Sequence, residues 1–413
     1  MASKKLNVTA KALQALLTRI GLASSGTKAT LQDRFARDLH RSRLFKHRID
    51  WEARQDKDWG RKLRIVSIDM GIKNLAYCDV TVDYPSKDSL DATMEVIRWE
   101  KIDLVKTTRQ YRGHLPSPRD IKKGTADEDE DVDPYSLSVL SATAYSLVTK
   151  TILSGAPDIV LIEKQRWRSG GGSAIQQWTV RVNTFEGMLW AVLETLRMEW
   201  STMIESHRRH RPKREYEVFA VDPKRVGHYW LGQHARMLAA REASKADSIT
   251  DANDQAAEED APGATKKDTT RSKAEKKAKI AILRSWLSSN PPSTAGSTPG
   301  STPKITFTLT QNAELARQAL CAPSKTTRRK KSSKSKSEDA SEDSVDVEVV
   351  GDSELKKLDD ITDCFLQAAA WVSWESNRLQ LSEVKNRLKG NSGTPAKLSD
   401  EVLLEMIKAV DEG

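Results

Sequence analysis

A short, continuously apolar run lies near the middle of this 413-residue chain, extending from Ile159 to Ile162 and followed by Glu163. Such a run predicts a strand that is buried on both faces. Strands of this kind belong to parallel sheets that helices cover on both sides. The run therefore favours an α/β fold over an all-helical or an all-β fold.

The rest of the pattern predicts how that strand is accompanied. Three strands are expected before it and one after it, at 63–68, 75–82, 95–104 and 216–221. Helices are expected at 135–153, 173–200 and 353–376, with shorter ones after Pro223, at 276–287 and from Ser399. This order indicates an α/β domain over residues 60–390, with a mixed five-stranded sheet flanked by helices.

Polar, low-complexity segments interrupt this domain. Hydrophobic residues make up 38% of the chain, below the roughly 45–50% of compact globular proteins. The polar excess concentrates in segments that cannot build a core and that we expect to be disordered. They lie at about 105–134, 243–270, 288–304 and 323–352, and a C-terminal tail follows at 391–413.

The net charge of +9 is unevenly distributed along the chain. Residues 1–50 hold eleven Lys and Arg against three Asp, a local excess of +8. Such an excess favours a polyanionic partner. The sequence has no run of about 18 apolar residues, which excludes a transmembrane helix. Three widely spaced cysteines exclude a disulfide framework and fit a reducing compartment.

The basic segment 1–50 has the pattern of two short helices. Apolar residues recur at helical spacing over 13–20, and Gly21 follows as a C-cap. Thr27 can cap a second helix, and the turn before it resembles that of a SAP-type DNA-binding module, which would place Lys28 on phosphate. Two alternatives stay open: a helical hairpin packed on the main domain, and a mitochondrial targeting sequence.

Acidic residues end or interrupt the predicted apolar elements. Asp69 ends the first strand, and Glu163 ends the strand at 159–162. Asp360 and Asp363 lie one helical turn apart, and Asp359 pairs with Asp363 at i,i+4. Buried carboxylates need a partner, and divalent metal ions with a phosphodiester substrate suit them. We therefore expect metal-dependent phosphodiester hydrolysis.

Competing cofactor chemistries have no support in the sequence. Neither a P-loop nor a Gly-x-Gly-x-x-Gly turn is present, so no nucleotide cofactor is expected. The His and Cys residues do not form a cluster with zinc spacing.

Five longer motifs carry a family resemblance. They are 67–78 (SIDMGIKNLAYC), 162–171 (IEKQRWRSGG), 176–189 (QQWTVRVNTFEGML), 221–226 (VDPKRV) and 357–363 (KLDDITD). In this order they resemble the fungal mitochondrial Holliday-junction resolvases, which are RuvC-like members of the RNase H-like superfamily. The resemblance covers roughly residues 63–376 apart from the polar segments. Fungal members also carry a SAP-like N-terminal motif.

The resemblance implies an RNase H-like nuclease that hydrolyses DNA near the crossover of a four-way junction. It implies four carboxylates that bind Mg²⁺, with Mn²⁺ as a substitute, and a homodimer that makes two symmetric nicks. By position, Asp69, Glu163 and Asp363 are metal ligands. The fourth is Asp360 by i,i+3 spacing or Asp359 by i,i+4 spacing, with Asp360 favoured. The implied location is the mitochondrion, while the basic run 328–331 leaves a nuclear location open.

Basic and polar side chains near these acids are the candidate DNA contacts. They are Lys28, Lys73, Asn74, Lys164, Gln165, Arg166, Arg168, Gln176, Gln177, Arg181, Arg208 and Arg209. Trp178 is expected to pack in the core, with stacking on a DNA base as the alternative. Trp371 and Trp374 are expected in the core or in a dimer contact. Two other functions stay open: an RNase H-like nuclease of other specificity, such as for RNA–DNA hybrids, and a non-catalytic junction-binding protein.

Overall fold

The structure is a computed structural model. It describes residues 7–41, 62–83, 90–107, 133–165, 177–206, 216–232, 266–294, 303–322, 358–388 and 399–411. Of the predicted polar segments, 108–132, 243–265, 295–302 and 323–352 lie outside these residues.

A mixed sheet forms the centre of the fold. Its strands are β1 Leu63–Asp69, β2 Leu75–Asp83, β3 Ala92–Ile102, β4 Ile159–Glu163, β5 Glu217–Val221 and β6 Ile305–Leu309. The strand order is β5-β4-β1-β2-β3-β6. Strands β1, β2 and β3 form an antiparallel meander, while β4 and β5 continue parallel to β1. The predicted mixed α/β sheet is confirmed, but it has six strands in the described residues instead of five.

Nine helices accompany the sheet in the described residues. They are α1 Ala10–Arg19, α2 Lys28–Asp38, α3 Leu137–Leu147, α4 Gln177–Ser206, α5 at 223–232, α6 Lys266–Ser288, α7 Gln311–Cys321, α8 Leu358–Arg387 and α9 Asp400–Asp411. A short helical turn also lies at 104–107, and a π turn at Val148–Ile152 continues α3. None of the helices described here is long and apolar enough to span a bilayer.

The alternation of side chains along the strands gives the sheet two apolar faces. On one face, Val66 and Val160 pack with α3 and α4 through residues such as Leu140 and Phe185. On the other, residues such as Ile65 pack against a layer that contains α5, α6, α7 and the first two-thirds of α8. The sheet is thus covered on both sides, as the run at 159–162 predicts.

The sixth strand and α7 lie in a region for which the sequence suggests no element. Strand β6 pairs in parallel with β3, and the chain before it packs there too: Thr294 N–H donates to Ile305 O at 2.9 Å. The expected disorder at 288–304 therefore does not hold for 288–294 and 303–304, which have defined positions. Residues 266–270 of the predicted segment 243–270 begin α6. Pairing with β6 holds 293–294 in place in spite of the polar composition.

Helices α1 and α2 form the predicted pair, with Thr9 and Thr27 as N-caps. Their apolar side chains pack with the C-terminal part of α8 and with α9, through residues that include Leu381 and Met406. The last turn of α1 also contacts α8 directly, because Asn377 Nδ2 donates to Arg19 O at 2.9 Å. The open alternative of a helical pair packed on the main domain thus describes the packing, and DNA binding by this pair stays a prediction.

Candidate active site

Two of the predicted acids lie side by side at the carboxyl edge of the sheet. Strands β1 and β4 run parallel with Ile68 opposite Ile162, so Asp69 and Glu163 follow as neighbours. Their carboxyl groups are hydrogen-bonded. Burial and the Glu163 carboxylate hold the pKa of Asp69 well above its ordinary value.

The first turn of α8 brings further acids to the same place. This turn lies over the end of β1, because Gln367, one turn further along α8, donates from Nε2 to Ile68 O at 3.3 Å. The charges of Asp363 and Asp360 also raise the pKa of Asp69. Asp359 instead contacts Lys276 Nζ at 2.6 Å. Asp360 and Asp363 therefore group with Asp69 and Glu163, while Asp359 lies outside this group and pairs with Lys276.

Two polar contacts hold α8 in this position. Gln367, one turn after Asp363, donates from Nε2 to Ser67 Oγ at 3.0 Å on β1. Trp99 on β3 donates from Nε1 to Ile361 O at 2.8 Å. Both contacts are buried, so they fix the start of α8 over the strand ends.

Three lysines that sequence reasoning missed surround the acids. Lys279 Nζ lies 3.2 Å from Asp363 Oδ1, Lys276 pairs with Asp359, and Lys101 Nζ lies 3.7 Å from Asp360 Oδ2. Burial raises the pKa of Asp363, and the nearby Lys279 partly offsets this. Lys276 and Lys279 lie on α6, far from the acids in sequence, and their i,i+3 spacing is ordinary for a solvated helix. No local signal could have assigned them to the site.

The turn after Asp69 presents two predicted DNA contacts. Lys73 is exposed and Asn74 is partly exposed, directly beyond β1. Gly71 allows the turn to close, because a Cβ there would lie 3.0 Å from Asn74 O. These residues thus lie beside the acids, as expected.

The segment after Glu163 starts in a defined position. Lys164 is exposed, and its N–H donates to Val221 O at 2.8 Å. Gln165 N–H donates to the Glu186 carboxylate at 3.2 Å, a contact that sequence reasoning missed. Burial raises the pKa of Glu186. The predicted contacts Arg166, Arg168 and Gln176 lie outside the described residues, as do Arg208 and Arg209.

The N-terminal turn of α4 is exposed. Gln177 faces solvent, and Arg181 stacks over the Tyr135 ring at 4.2 Å. Trp178 is 42% exposed and meets Tyr135 edge-on, so its expected place in the core is wrong. The core prediction fails because α4 has buried only the opposite side against the sheet.

Trp371, Trp374 and Lys28 lie away from the exposed turn of α4. Trp371 and Trp374 are buried on α8, as predicted. Lys28 begins α2 and lies 4.0 Å from Asp400 on α9, so the structure does not bring it to the acids.

The acids suit a divalent cation by their chemistry. All donors are carboxylate oxygens, and the charges of Glu163, Asp363 and Asp360 raise the pKa of Asp69, which a cation would relieve. Within the described part of the chain, no three acidic, His or Cys side chains enclose a common point. Asp359 and Asp363 contact lysines there.

The mixed sheet, with acids at the ends of two parallel strands and at the start of a covering helix, defines an α/β protein with an acidic site at one edge of its sheet. The chain belongs to the family described as "Mitochondrial resolvase Ydc2 / RNA splicing MRS1", whose model matches residues 65–381. The predicted relationship to the mitochondrial resolvases is confirmed.

Individual relatives agree with this membership. The chain is 31% identical over 129 residues to "Cruciform cutting endonuclease 1, mitochondrial" of Schizosaccharomyces pombe, covering 31% of this chain and 41% of that relative. It is 26% identical over 339 residues to the protein of the same name in Saccharomyces cerevisiae, covering 81% and 75%. The crystal structure of the yeast mitochondrial Holliday junction resolvase Ydc2 aligns at 18% identity over 90% of this chain and 95% of that one, with a TM-score of 0.42.

Proposed function

We propose that this chain is a structure-selective endonuclease that binds four-way DNA junctions and resolves them by paired symmetric cuts near the crossover. The observation that carries the proposal is geometric: Asp69 and Glu163 follow each other at the ends of the paired strands β1 and β4, and α8, which begins with Asp360 and Asp363, is hydrogen-bonded to the end of β1. The printed names of the family and its curated relatives support it, because they describe a resolvase and cruciform cutting endonucleases. They also support a mitochondrial location and a role in mitochondrial DNA recombination and segregation.

The four acids are the proposed ligands of Mg²⁺, for which Mn²⁺ can substitute. When bound, such ions activate water and stabilise the leaving oxygen of a phosphodiester. The chain itself positions these ligands. The sheet fixes Asp69 and Glu163, and the hydrogen bond of Gln367 to β1 fixes the turn of α8 that carries Asp360 and Asp363. Lys101 and Lys279 balance the negative charge and lie where they can also neutralise a phosphate.

The proposed DNA surface surrounds this edge of the sheet. Lys73, Asn74, Lys164 and Gln177 are all at least partly exposed around it, so a DNA backbone can reach them. Lys28 is proposed as a more distant contact on the N-terminal helix pair. Because one site cuts one strand, symmetric cutting calls for a homodimer.

One assay tests the proposal. The protein is incubated with Mg²⁺ and a labelled four-way junction, a linear duplex or an RNA–DNA hybrid of the same sequence. Paired symmetric nicks in the junction alone are expected, whereas equal cutting of the linear duplex contradicts junction selectivity. Cutting confined to the RNA–DNA hybrid would instead indicate an RNase H-like nuclease of other specificity.

A matched pair of variants tests the site. Asp69→Asn is expected to abolish cutting while junction binding persists. Asp83→Asn is the control, because Asp83 is exposed at the opposite end of the meander, at the end of β2. Loss of binding in Asp69→Asn would indicate a structural role for Asp69.

A non-catalytic binding role is the second candidate, because the family description also includes an RNA-splicing protein. Full junction binding without any cutting in Mg²⁺ or Mn²⁺ would favour it. The complete set of four acids favours the nuclease instead.

A further inference from the structure

Trp178, in the first turn of α4, is an exposed aromatic residue near the candidate site. In the part of the chain that the structure describes, two aromatic residues are among the exposed large hydrophobic side chains, Trp178 at 42% and Tyr145 at 55%. Tryptophan has the largest apolar area to bury, and it is enriched at binding surfaces for this reason. The exposed position of Trp178 therefore indicates a role in binding.

The indole of Trp178 is held in place by its neighbours. The Tyr135 ring meets it at 5.8 Å between centroids, with the two planes 76° apart. Tyr135 is itself fixed, because it packs against the apolar cluster between the sheet and helices α3 and α4, and its N–H donates to Asp133 Oδ1 at 3.0 Å. Arg181 lies over the Tyr135 ring. Tyr135 thus positions the indole without stacking on it, which leaves a fixed aromatic surface for a flat partner.

Trp178 lies beyond the acidic edge of the sheet. Gln165, two residues after β4, donates its N–H to Glu186, which places this part of α4 level with the end of β4. From there α4 runs back along the sheet, because Tyr216, next to the start of β5, donates from Oη to Leu193 O at 2.6 Å. Trp178 precedes Glu186 by eight residues, so it lies about 12 Å past that edge at a rise of about 1.5 Å per residue. The first turns of α4 therefore project on the side where the acids lie.

The surroundings of Trp178 favour a polyanionic partner. Gln177 and Lys164 are exposed at this end of the sheet, and Arg181 follows one turn along α4. Residues 177–185 include no Asp or Glu, and the positive end of the helix dipole adds to the local charge. An apolar protein surface has no use for this charge, whereas a nucleic acid offers both phosphates and flat bases.

We propose that Trp178 is a stacking platform for a nucleobase at the branch point of a DNA junction, and that it contributes to selectivity for junctions over linear duplex. This inference rests on the proposed function. In a linear duplex, neighbouring base pairs cover both faces of each base. At an opened branch point this stacking is interrupted, so a base can place one face on an indole. The platform therefore gains a contact with a junction that a duplex does not offer.

Binding measurements with the full chain test the platform. Fluorescence anisotropy in EDTA, which prevents metal-dependent cutting, gives the Kd for a labelled four-way junction and for a linear duplex. Trp178→Ala should raise the Kd for the junction about 10-fold to 100-fold, the size expected for the loss of one base–aromatic stack, and should change the Kd for the duplex less than about twofold. Unchanged duplex binding also shows that the variant is folded. Native junction affinity in Trp178→Ala, or an equal rise in both Kd values, overturns the proposal.

Two further substitutions separate stacking from simple apolar contact. Trp178→Phe retains a flat ring, so its Kd for the junction should stay within about threefold of the native value. Trp178→Leu keeps an apolar side chain without a ring face, and it should behave like Trp178→Ala. Tyr145→Ala is the matched control, because Tyr145 is an exposed aromatic residue on α3, ten residues after Tyr135. It should bind both DNAs as the native chain does. Junction binding by Trp178→Leu as tight as that by Trp178→Phe contradicts stacking.

Photo-cross-linking locates the base. A junction with 5-iododeoxyuridine at the branch point should cross-link to Trp178 on irradiation, whereas a junction with the same nucleotide in the middle of an arm should not. Mass spectrometry of the linked peptide identifies the residue. The product should persist in Tyr145→Ala and be lost in Trp178→Ala. Equal cross-linking of the native chain and Trp178→Ala contradicts the platform.

The two proposals fail separately. A chain that binds junctions through Trp178 but does not cut them in Mg²⁺ would contradict the proposed function and leave the platform standing. A chain that cuts junctions, and whose Trp178→Ala variant binds them with native affinity, would contradict the platform alone.

Discussion

Helices α4 and α8 are both 30 residues long and lie on opposite faces of one sheet, yet their surroundings differ. In α8, every residue from Ile361 to Asn377 is buried except Asp363. The sheet, α6, α9 and the N-terminal helix pair cover it from different sides. In α4 only the side towards the sheet is covered by the described residues.

The difference shows that a helix without a strongly polar side can have either covered or exposed surroundings. Neither helix has one apolar and one strongly polar side. For α8 the cover is found within the chain, and the one residue between Ile361 and Asn377 that is not buried, Asp363, is a candidate metal ligand. For α4 the outer side, which includes Gly187 and Ala191, is exposed in the described residues.

The largest expected effect concerns the exposed start of α8. Asp360→Asn should lower the rate of junction cutting by about 10²–10³-fold, the size seen when one preorganised electrostatic group is removed. Asp359→Asn should lower it less than about tenfold, because Asp359 contacts Lys276 rather than Asp69. Single-turnover cutting of a labelled junction measures both.

The pair of variants also decides the ligand spacing. Equal junction binding by both proteins is the control for folding and for DNA affinity. The reverse order of effects would make Asp359 and Asp363, at i,i+4, the ligand pair.

The second effect concerns the middle of α8, where the N-terminal helix pair packs. Gly21 has φ +71°, and a Cβ there would overlap the Trp374 ring. Gly21→Ala should therefore lower the free energy of unfolding by about 2–4 kcal/mol. Urea titration followed by circular dichroism measures it. Gly232→Ala is the control, because no atom would lie within 4 Å of its Cβ. A change below about 1 kcal/mol in Gly21→Ala would mean that the N-terminal helices dock loosely.

Much of the fold was predictable because local patterns and burial agree. The run at 159–162 is β4, and the strands at 63–68, 75–82 and 216–221 are confirmed within one or two residues. Strand β6 was missed because Ile305–Leu309 lies among polar residues, and its place depends on pairing with β3, more than 200 residues away. Long-range pairing of this kind leaves little local signal.

The same limit applies to the site. Asp69, Glu163, Asp360 and Asp363 could be selected because each one ends or interrupts an apolar element. Lys101, Lys276 and Lys279 could not, because a basic residue on a strand or a helix has an ordinary surface role. Only the packing of α6 beside α8 brings two of these lysines to the acids.

A third prediction concerns the outer side of α4. Gly187→Ala should raise the free energy of unfolding by about 0.5–1 kcal/mol, because α4 gains a better helix former in open space. Urea titration followed by circular dichroism measures the gain. A destabilised variant would contradict the open space outside Gly187.

The smallest expected effect concerns the inner side of α4. Burial raises the pKa of Glu186, so ionising this carboxyl is less favourable in the folded chain than in the unfolded chain. The stability that it contributes is complete below the ordinary range of Glu and declines as pH rises through the raised pKa. Glu186→Gln keeps an acceptor for Gln165 N–H and removes that decline.

Glu186→Gln should therefore gain stability relative to the native chain between pH 4 and 7, by less than about 1 kcal/mol, because the carboxyl is partly solvated. Thermal unfolding across that pH range measures the gain. Glu95→Gln is the control with the opposite sign, because the hydrogen bond from Lys62 lowers the pKa of Glu95. Its stability should fall relative to the native chain as pH rises, since the lost ion pair stabilises the fold only when Glu95 is ionised. If the stability of both variants changed with pH in the same direction, burial would not raise the pKa of Glu186. The contact of Glu186 with Gln165 would then not hold the segment after Glu163 against α4.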